Sequence, residues 1–144
     1  MSRLVQILSV FLGILMFMFG FLKFFAPING WFEVQIQQSH LPHATVLVGK
    51  LAEMATGALF LLSRFSSSKQ QREYQILFVA CSSLVFEMLV ALYVHVQPRV
   101  PPGVLPLGIK APVLPLFVLV LGVVTALVAR KQKQSSNRDL RSSE

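Results

Sequence analysis

The sequence predicts an all-α protein, a bundle of four transmembrane helices. Hydrophobic residues make up 54% of the 144 residues and charged residues only 13%, whereas a soluble domain usually carries about a quarter charged residues. Four apolar runs are each long enough to cross a bilayer, which takes ~20 residues of helix. The runs are continuous and do not alternate in polarity, which argues against the strands of a membrane barrel. We therefore expect the lipid bilayer to surround this chain.

The four spans form a single predicted membrane domain, residues 1–129. The first run carries no charge before Lys23 and is too long for the apolar core of a signal peptide, so we interpret it as a retained span. Pro112 and Pro115 fall in the first turn of the last span, where a missing backbone donor costs little. The spans are predicted at about 4–25, 44–63, 74–96 and 111–129.

Three connections join the spans, and each has a different composition. Residues 26–43 are semi-polar, and Trp31 and Phe32 fit either an interfacial anchor or a short helix that lies on the membrane. Residues 64–73 form a short polar loop. Residues 97–110 contain four prolines, so we expect an extended segment and not a helix.

The basic residues indicate the orientation of the chain. Four spans place the N-terminus, the 64–73 loop and the tail, residues 130–144, on the same side, and that side carries nine of the thirteen Lys and Arg residues. The positive-inside rule then puts both termini in the cytoplasm, most naturally that of a bacterium with this chain in its inner membrane. The tail is polar and charged, and we expect it to be disordered. Because topology accounts for the net charge of +7, we expect no nucleic-acid partner.

Ionisable side chains gather at one depth, in the outer halves of the spans. Such groups are expensive in hydrocarbon unless they are paired inside the bundle. We predict an interhelical polar cluster in the outer leaflet, in which Glu53 and Glu87 accept hydrogen bonds from lysines. The cluster is either a ligand site or a structural network that fixes the helix register, and the lysines can also reach the headgroups. Its members are Lys23, Lys50, Glu53, Glu87, His95 and Lys110.

The sequence contains no recognisable pattern for catalysis or for a resident metal. His40 and His43 form an HxxH pair in an outward loop, with His95 predicted on the same side, but the spacing is not that of a zinc motif, and we expect no metal site. Cys81 is the single cysteine, so no internal disulfide is possible. The chain has no GxSxG, no glycine-rich phosphate loop and no haem motif. These observations assign no catalytic residue and favour a non-catalytic protein, without deciding the question.

Three stretches resemble the DoxX-like family of small four-helix membrane proteins. They are GFLKFFAP in the first span, GKLAEMATGALFLL in the second, and HVQPRVPPGVLPLGIKAPVLPLFVLVLG from the end of the third span into the fourth. The resemblance covers most of residues 4–129. The positions that carry it are Gly20 and Lys23, Glu53 and Gly57, and His95.

The resemblance implies a four-helix fold and an accessory role beside a partner. The family takes its name from a subunit associated with a quinone-linked sulfur oxidation system; other members belong to thiol and oxidative-stress complexes, and distant relatives are assembly chaperones or cargo receptors. We therefore expect a protein partner such as a redox enzyme. Two alternatives stay open: a protein that binds or transports a small ligand, a quinone or a proton at the polar cluster, and an enzyme that uses quinone together with a partner subunit. The lack of paired cysteines argues against direct thiol exchange.

Overall fold

The computed structural model describes residues 2–65 and 70–142 of the chain. Over these residues the protein is all-helical and contains no strand. Four of its five α-helices are long and apolar enough to cross a membrane, which agrees with the predicted all-α fold class and with the predicted number of spans. The helices are α1 (Arg3–Leu22), α2 (Ile28–Gln38), α3 (Ala44–Phe65), α4 (Gln70–Val96) and α5 (Val113–Ser142).

The four long helices form a closed ring, in which α1 packs against α3, α3 against α4, α4 against α5, and α5 against α1. The interior of the ring is mainly apolar. Side chains of all four helices meet there because each helix turns a stripe of large apolar residues inward, at the helical period. The largest fully buried members include Leu12, Met16, Phe60, Leu84 and Val118.

Two glycines bring α1 and α3 into close contact. A Cβ atom on Gly57 would lie 2.7 Å from the backbone oxygen of Gly13 and 2.5 Å from the backbone nitrogen of Phe17. Only a residue without a side chain fits at this distance, so the backbones of the two helices touch directly. This contact holds α1 and α3 in a fixed register.

The connection before α3 contains the short helix α2, which is one of the two predicted forms of this segment. Phe32 and Ile36 lie four residues apart, so they share a face of α2, and both are buried against Val46 of α3. Trp31 points away from this contact and is exposed. The 97–110 segment is not α-helical, as predicted, but it contains two turns of 3-10 helix, Pro102–Val104 and Pro106–Gly108.

The C-terminal tail differs from the prediction. Residues 130–142 were expected to be disordered, yet α5 continues through them as one helix, and the predicted boundary at residue 129 falls inside it. The stretch contains no proline or glycine to end the helix, and its Lys, Arg and Gln residues favour helix. Residues 66–69, in the predicted polar loop, lie outside the described part of the chain, as does the last stretch of the tail, residues 143–144.

The two ends of the bundle are distinct. The backbone N–H of Ser2 donates to Oε1 of Gln132 at 2.9 Å, so the start of α1 and the C-terminal part of α5 lie at the same end. At the opposite end, the side chain of Gln35 in α2 donates to the carbonyl oxygen of Val104, and the hydroxyl of Tyr93 donates to the carbonyl oxygen of Ser39 at 3.3 Å. We call this second end the α2 end of the bundle.

Candidate functional site

A cavity of about 720 Å³ opens at the α2 end of the bundle. Volumes between roughly 300 and 1,000 Å³ are typical of sites for small molecules. All five helices and the two 3-10 turns contribute to its wall, which is mainly apolar. The ionisable side chains on the wall are Lys23, Glu53, Glu87 and His95. The cavity therefore brings together four of the six residues of the predicted polar cluster.

An ion pair joins α1 to α3 at this wall. Lys23 directly follows the last residue of α1, and its ammonium group donates to Oε1 of Glu53. The same nitrogen lies 4.1 Å from the centroid of the Phe32 ring, which adds a cation–π contact. The second carboxylate oxygen of Glu53, Oε2, is buried and has no hydrogen-bond partner. Glu53 thus accepts from a lysine, as the sequence predicts, and keeps one acceptor free.

Glu87 on α4 does not pair with a lysine, and that part of the prediction is wrong. Its Oε1 lies 2.7 Å from the hydroxyl of Thr56 and 3.1 Å from the hydroxyl of Ser83. The position of α3 that faces Glu87 is Thr56, one turn beyond Glu53, and the ammonium group of Lys23 is already held by Glu53. Oε2 of Glu87 is buried and has no hydrogen-bond partner. Two hydroxyl groups therefore take the place of the expected cation.

Lys50 lies in α3 but points out of the cluster. It is 6% exposed, and its ammonium group donates to Oδ1 of Asn29 in α2. The nitrogen also lies 5.2 Å from the centroid of the Phe24 ring. Because Lys50 precedes Glu53 by three residues, its long side chain extends towards the α2 end and ties α2 to α3. Its ammonium group therefore contacts α2 and does not pair with a carboxylate among the described residues.

Lys110 also lies outside the cluster. Its ammonium group donates to the carbonyl oxygens of Gln97 and Val100, the latter at 2.6 Å. These bonds hold both ends of the 97–110 segment together above the cavity. The sequence reasoning placed Lys110 at the correct end of the bundle, but it could not reveal that backbone carbonyls would satisfy the charge.

His95 lies on the cavity wall near the end of α4 and is 4% exposed. Its Nδ1 lies 2.8 Å from the carbonyl oxygen of Ala91. A carbonyl oxygen only accepts, so Nδ1 carries the proton of this bond, and in the neutral imidazole Nε2 is an acceptor. His40 lies apart from His95, with its Nε2 3.2 Å from Nη1 of Arg99. Among the described residues, no three His, Cys, Asp or Glu side chains form a group that could hold a metal ion.

The predicted cluster lacks three polar partners of its members. Thr56 lies three residues after Glu53, and the helical period puts both on one face, so its hydroxyl could have been included in the cluster. Asn29 gave no such signal, because its position depends on how α2 folds back over α3. Ser83 lies four residues before Glu87 on the same face of α4, so its hydroxyl could have been included as well.

Comparison of the chain with protein-family models, with curated proteins and with solved structures finds no match. The interpretation of function therefore depends on the site itself. Its wall carries one ammonium group and two carboxyl groups, and two carboxylate oxygens are buried without a partner. Such an arrangement can hold the polar end of a molecule whose apolar part lies along the rest of the wall.

Proposed function

We propose that this protein binds a small amphiphilic molecule in the cavity at the α2 end of the bundle. The observation that carries the proposal is the combination of a mainly apolar cavity with two buried, unpartnered carboxylate oxygens, on Glu53 and Glu87. A buried acceptor without a partner costs about 1–3 kcal/mol. A hydrogen-bond donor on a ligand would remove that cost at both positions. The ligand would therefore bind with its polar end between α3 and α4.

The apolar part of the ligand fits the remaining wall. Large apolar and aromatic side chains from α1, α2, α4 and α5 surround the polar groups. Burial of an apolar chain against such side chains stabilises a complex by about 25 cal/mol for each Å² removed from water. The apolar wall residues include Phe19, Leu22, Trp31, Ile36, Phe86 and Val118.

We further propose that both termini lie in the cytoplasm, so that the cavity lies in the outer half of the membrane, with the bacterial inner membrane as its location. The excess of Lys and Arg at the end opposite α2 supports this orientation. The contact of Ser2 with Gln132 supports the part of the proposal that places both termini on one side. A ligand dissolved in the outer leaflet would then reach the cavity without crossing the membrane.

A second proposal is an accessory role within a complex, as in the DoxX-like family. The residues that carry the resemblance support it because they coincide with the site. Lys23, Glu53 and His95 line the cavity, and Gly57 sets the contact of α3 with α1. The two proposals are compatible, since a membrane subunit can bind a ligand and also associate with a partner.

Isolation in mild detergent tests the accessory role. A partner that copurifies in stoichiometric amount supports it, and recovery of the chain alone under several growth conditions contradicts it.

The binding proposal is tested by identifying the small molecules that copurify with the protein. We would purify the chain in a mild detergent, extract it with organic solvent and analyse the extract by mass spectrometry. Ala52→Trp places a large ring in the cavity wall, whereas Ala55→Trp, on the same helix, places it on the exposed face of α3. We expect an amphiphile to accompany the wild type and Ala55→Trp but not Ala52→Trp. The same molecules in all three samples would contradict a specific site.

A further inference from the structure

We propose that the polar end of the ligand is a cation, specifically an ammonium group attached to an apolar chain. This inference rests on the proposed binding function and specifies the chemical class of the ligand. Three features of the cavity support it: the charges on its wall, the nature of its free hydrogen-bonding capacity, and the position of the two carboxyl groups relative to each other.

The charges on the cavity wall do not balance. Its ionisable groups are Lys23, Glu53, Glu87 and His95. Lys23 is committed to Glu53. With the imidazole neutral and both carboxyl groups ionised, the wall carries one positive and two negative charges. An unbalanced charge in a medium of low dielectric constant is costly, and either a proton on a carboxyl group or a cation that enters the cavity neutralises it.

With both carboxyl groups ionised, the free hydrogen-bonding capacity of the site consists of acceptors. Oε2 of Glu53 and Oε2 of Glu87 are buried and unpartnered. Nε2 of His95 is an acceptor in the neutral imidazole, because Nδ1 donates to the carbonyl of Ala91. A matching ligand must bring donors, and an ammonium group brings three and no acceptor.

The two carboxyl groups line the same cavity from neighbouring helices, α3 and α4. Thr56 contacts Glu87 through its hydroxyl at 2.7 Å, and Glu53 lies three residues before Thr56 on the same face of α3. Glu87 therefore faces α3 one helical turn from Glu53. The aromatic side chains of Trp31, Phe32 and Phe86 also line the cavity, and aromatic rings favour cations over neutral groups of the same size.

With both carboxyl groups ionised, a quinone does not fit this arrangement. Its head presents two carbonyl oxygens, which only accept hydrogen bonds. The ammonium group of Lys23, the one positively charged group on the described cavity wall, is already paired with Glu53. A carboxylate or phosphate head fits less well still, because it would add a negative charge beside two others. The site therefore favours a cationic amphiphile over both classes.

The test compares four probes with the same kind of apolar chain and different heads. The protein is reconstituted in lipid nanodiscs and equilibrated with radiolabelled dodecylamine. Each unlabelled probe is then added as a competitor for the binding site: dodecylamine, dodecanol, dodecanoate or a decyl-substituted quinone. Empty nanodiscs report partition into lipid. We expect dodecylamine to compete at least about tenfold better than the other three. Glu87→Gln should weaken its binding by roughly tenfold to a hundredfold, and Glu73→Gln, at the start of α4 and away from the cavity, should leave it unchanged.

Each outcome separates this inference from the proposed function. If dodecanol or the quinone, offered in labelled form, binds better than dodecylamine and Ala52→Trp abolishes that binding, the cavity binds a ligand but the cationic class is wrong. The protein must bind a probe more strongly than empty nanodiscs do, and Ala52→Trp must remove that extra binding. If no probe meets both conditions, the proposed function fails together with the inference. Equal binding of dodecylamine to the wild type and to Glu87→Gln would also overturn the inference, provided that both proteins unfold at the same temperature.

Discussion

The ammonium group of Lys23, just after the end of α1, forms an ion pair with the carboxylate of Glu53 in α3. Both side chains are mostly buried, at 18% and 14% exposed. The pair therefore crosses a helix interface where water provides little of the solvation of either charge. It fixes α1 to α3 at the α2 end, and it leaves one carboxylate oxygen of Glu53 without a partner.

Removal of the lysine tests the strength of this pair. Lys23→Met leaves the carboxylate of Glu53 buried without its cation, and we expect the free energy of unfolding to fall by about 3 kcal/mol. Glu53→Gln in the same chain should recover part of that loss, because the unpaired charge is then gone. Lys131→Met, on the exposed side of α5, is the matched control and should change stability little. Detergent-mediated unfolding followed by circular dichroism gives the three values, and an equal loss for Lys23→Met and Lys131→Met would argue against a buried pair.

The hydroxyl of Thr56 provides a second test, centred on Glu87. Thr56→Val removes a donor to a buried carboxyl group and keeps the shape of the side chain, so we expect a loss of about 1.5–3 kcal/mol. Thr125 is equally buried, but its hydroxyl donates to the carbonyl of Leu121 in its own helix. Thr125→Val should therefore cost less than about 1 kcal/mol. The same unfolding measurement compares the two, and a larger loss for Thr125→Val would contradict the contact of Thr56 with Glu87.

The contact between α1 and α3 predicts opposite effects for two glycine substitutions. Gly57→Ala brings a Cβ atom against the backbone of Gly13 and Phe17. The helices must move apart, and we expect a loss of about 1–3 kcal/mol. Gly30 lies inside α2, and a Cβ atom added there would meet nothing within 4 Å. Gly30→Ala should therefore increase stability by up to about 1 kcal/mol. If Gly57→Ala were as stable as Gly30→Ala, the close approach of the two helices would be wrong.

Much of the fold could be predicted from the sequence, because the bilayer imposes its own length on a helix. An apolar run such as 4–25 has no other way to satisfy its backbone in lipid. The pairing of Lys23 with Glu53 could also be predicted, since both residues are predicted at the same depth in the membrane and an isolated charge there is unfavourable. The end of α5 was not predicted, because polar composition alone does not distinguish a solvated helix from a disordered segment.

The details of the site depended on tertiary structure. The sequence predicts Lys50 and Lys110 at the depth of the carboxyl groups, but it does not specify which acceptor each long side chain takes. Asn29 satisfies Lys50, and backbone carbonyls satisfy Lys110. Which acceptor a lysine takes depends on where α2 and the 97–110 segment fold, and no local pattern specifies that. The two unpartnered carboxylate oxygens follow from these choices, so they too were invisible in the sequence.

The proposed orientation predicts which cysteines an impermeant reagent reaches. We would replace Cys81 with serine and introduce Gly103→Cys at the α2 end or Gln134→Cys in the exposed part of α5 beyond the apolar run. In intact cells, a membrane-impermeant maleimide should label Gly103→Cys and should label Gln134→Cys only after the membrane is permeabilised. The reverse pattern would place the cavity on the cytoplasmic side. Labelling of both cysteines in intact cells would contradict the prediction that the two ends of the bundle lie on opposite faces of the membrane.

The central claim, that Glu53 and Glu87 together hold the polar end of a ligand, is tested most directly by an experimental structure of the protein in nanodiscs with dodecylamine. We predict density for one molecule in the cavity, with its nitrogen at about 2.7–3.0 Å from Oε2 of one or both carboxyl groups and its chain along the apolar wall. A cavity that is closed by its own side chains, or one in which the probe lies with its nitrogen away from both carboxyl groups, would contradict the claim.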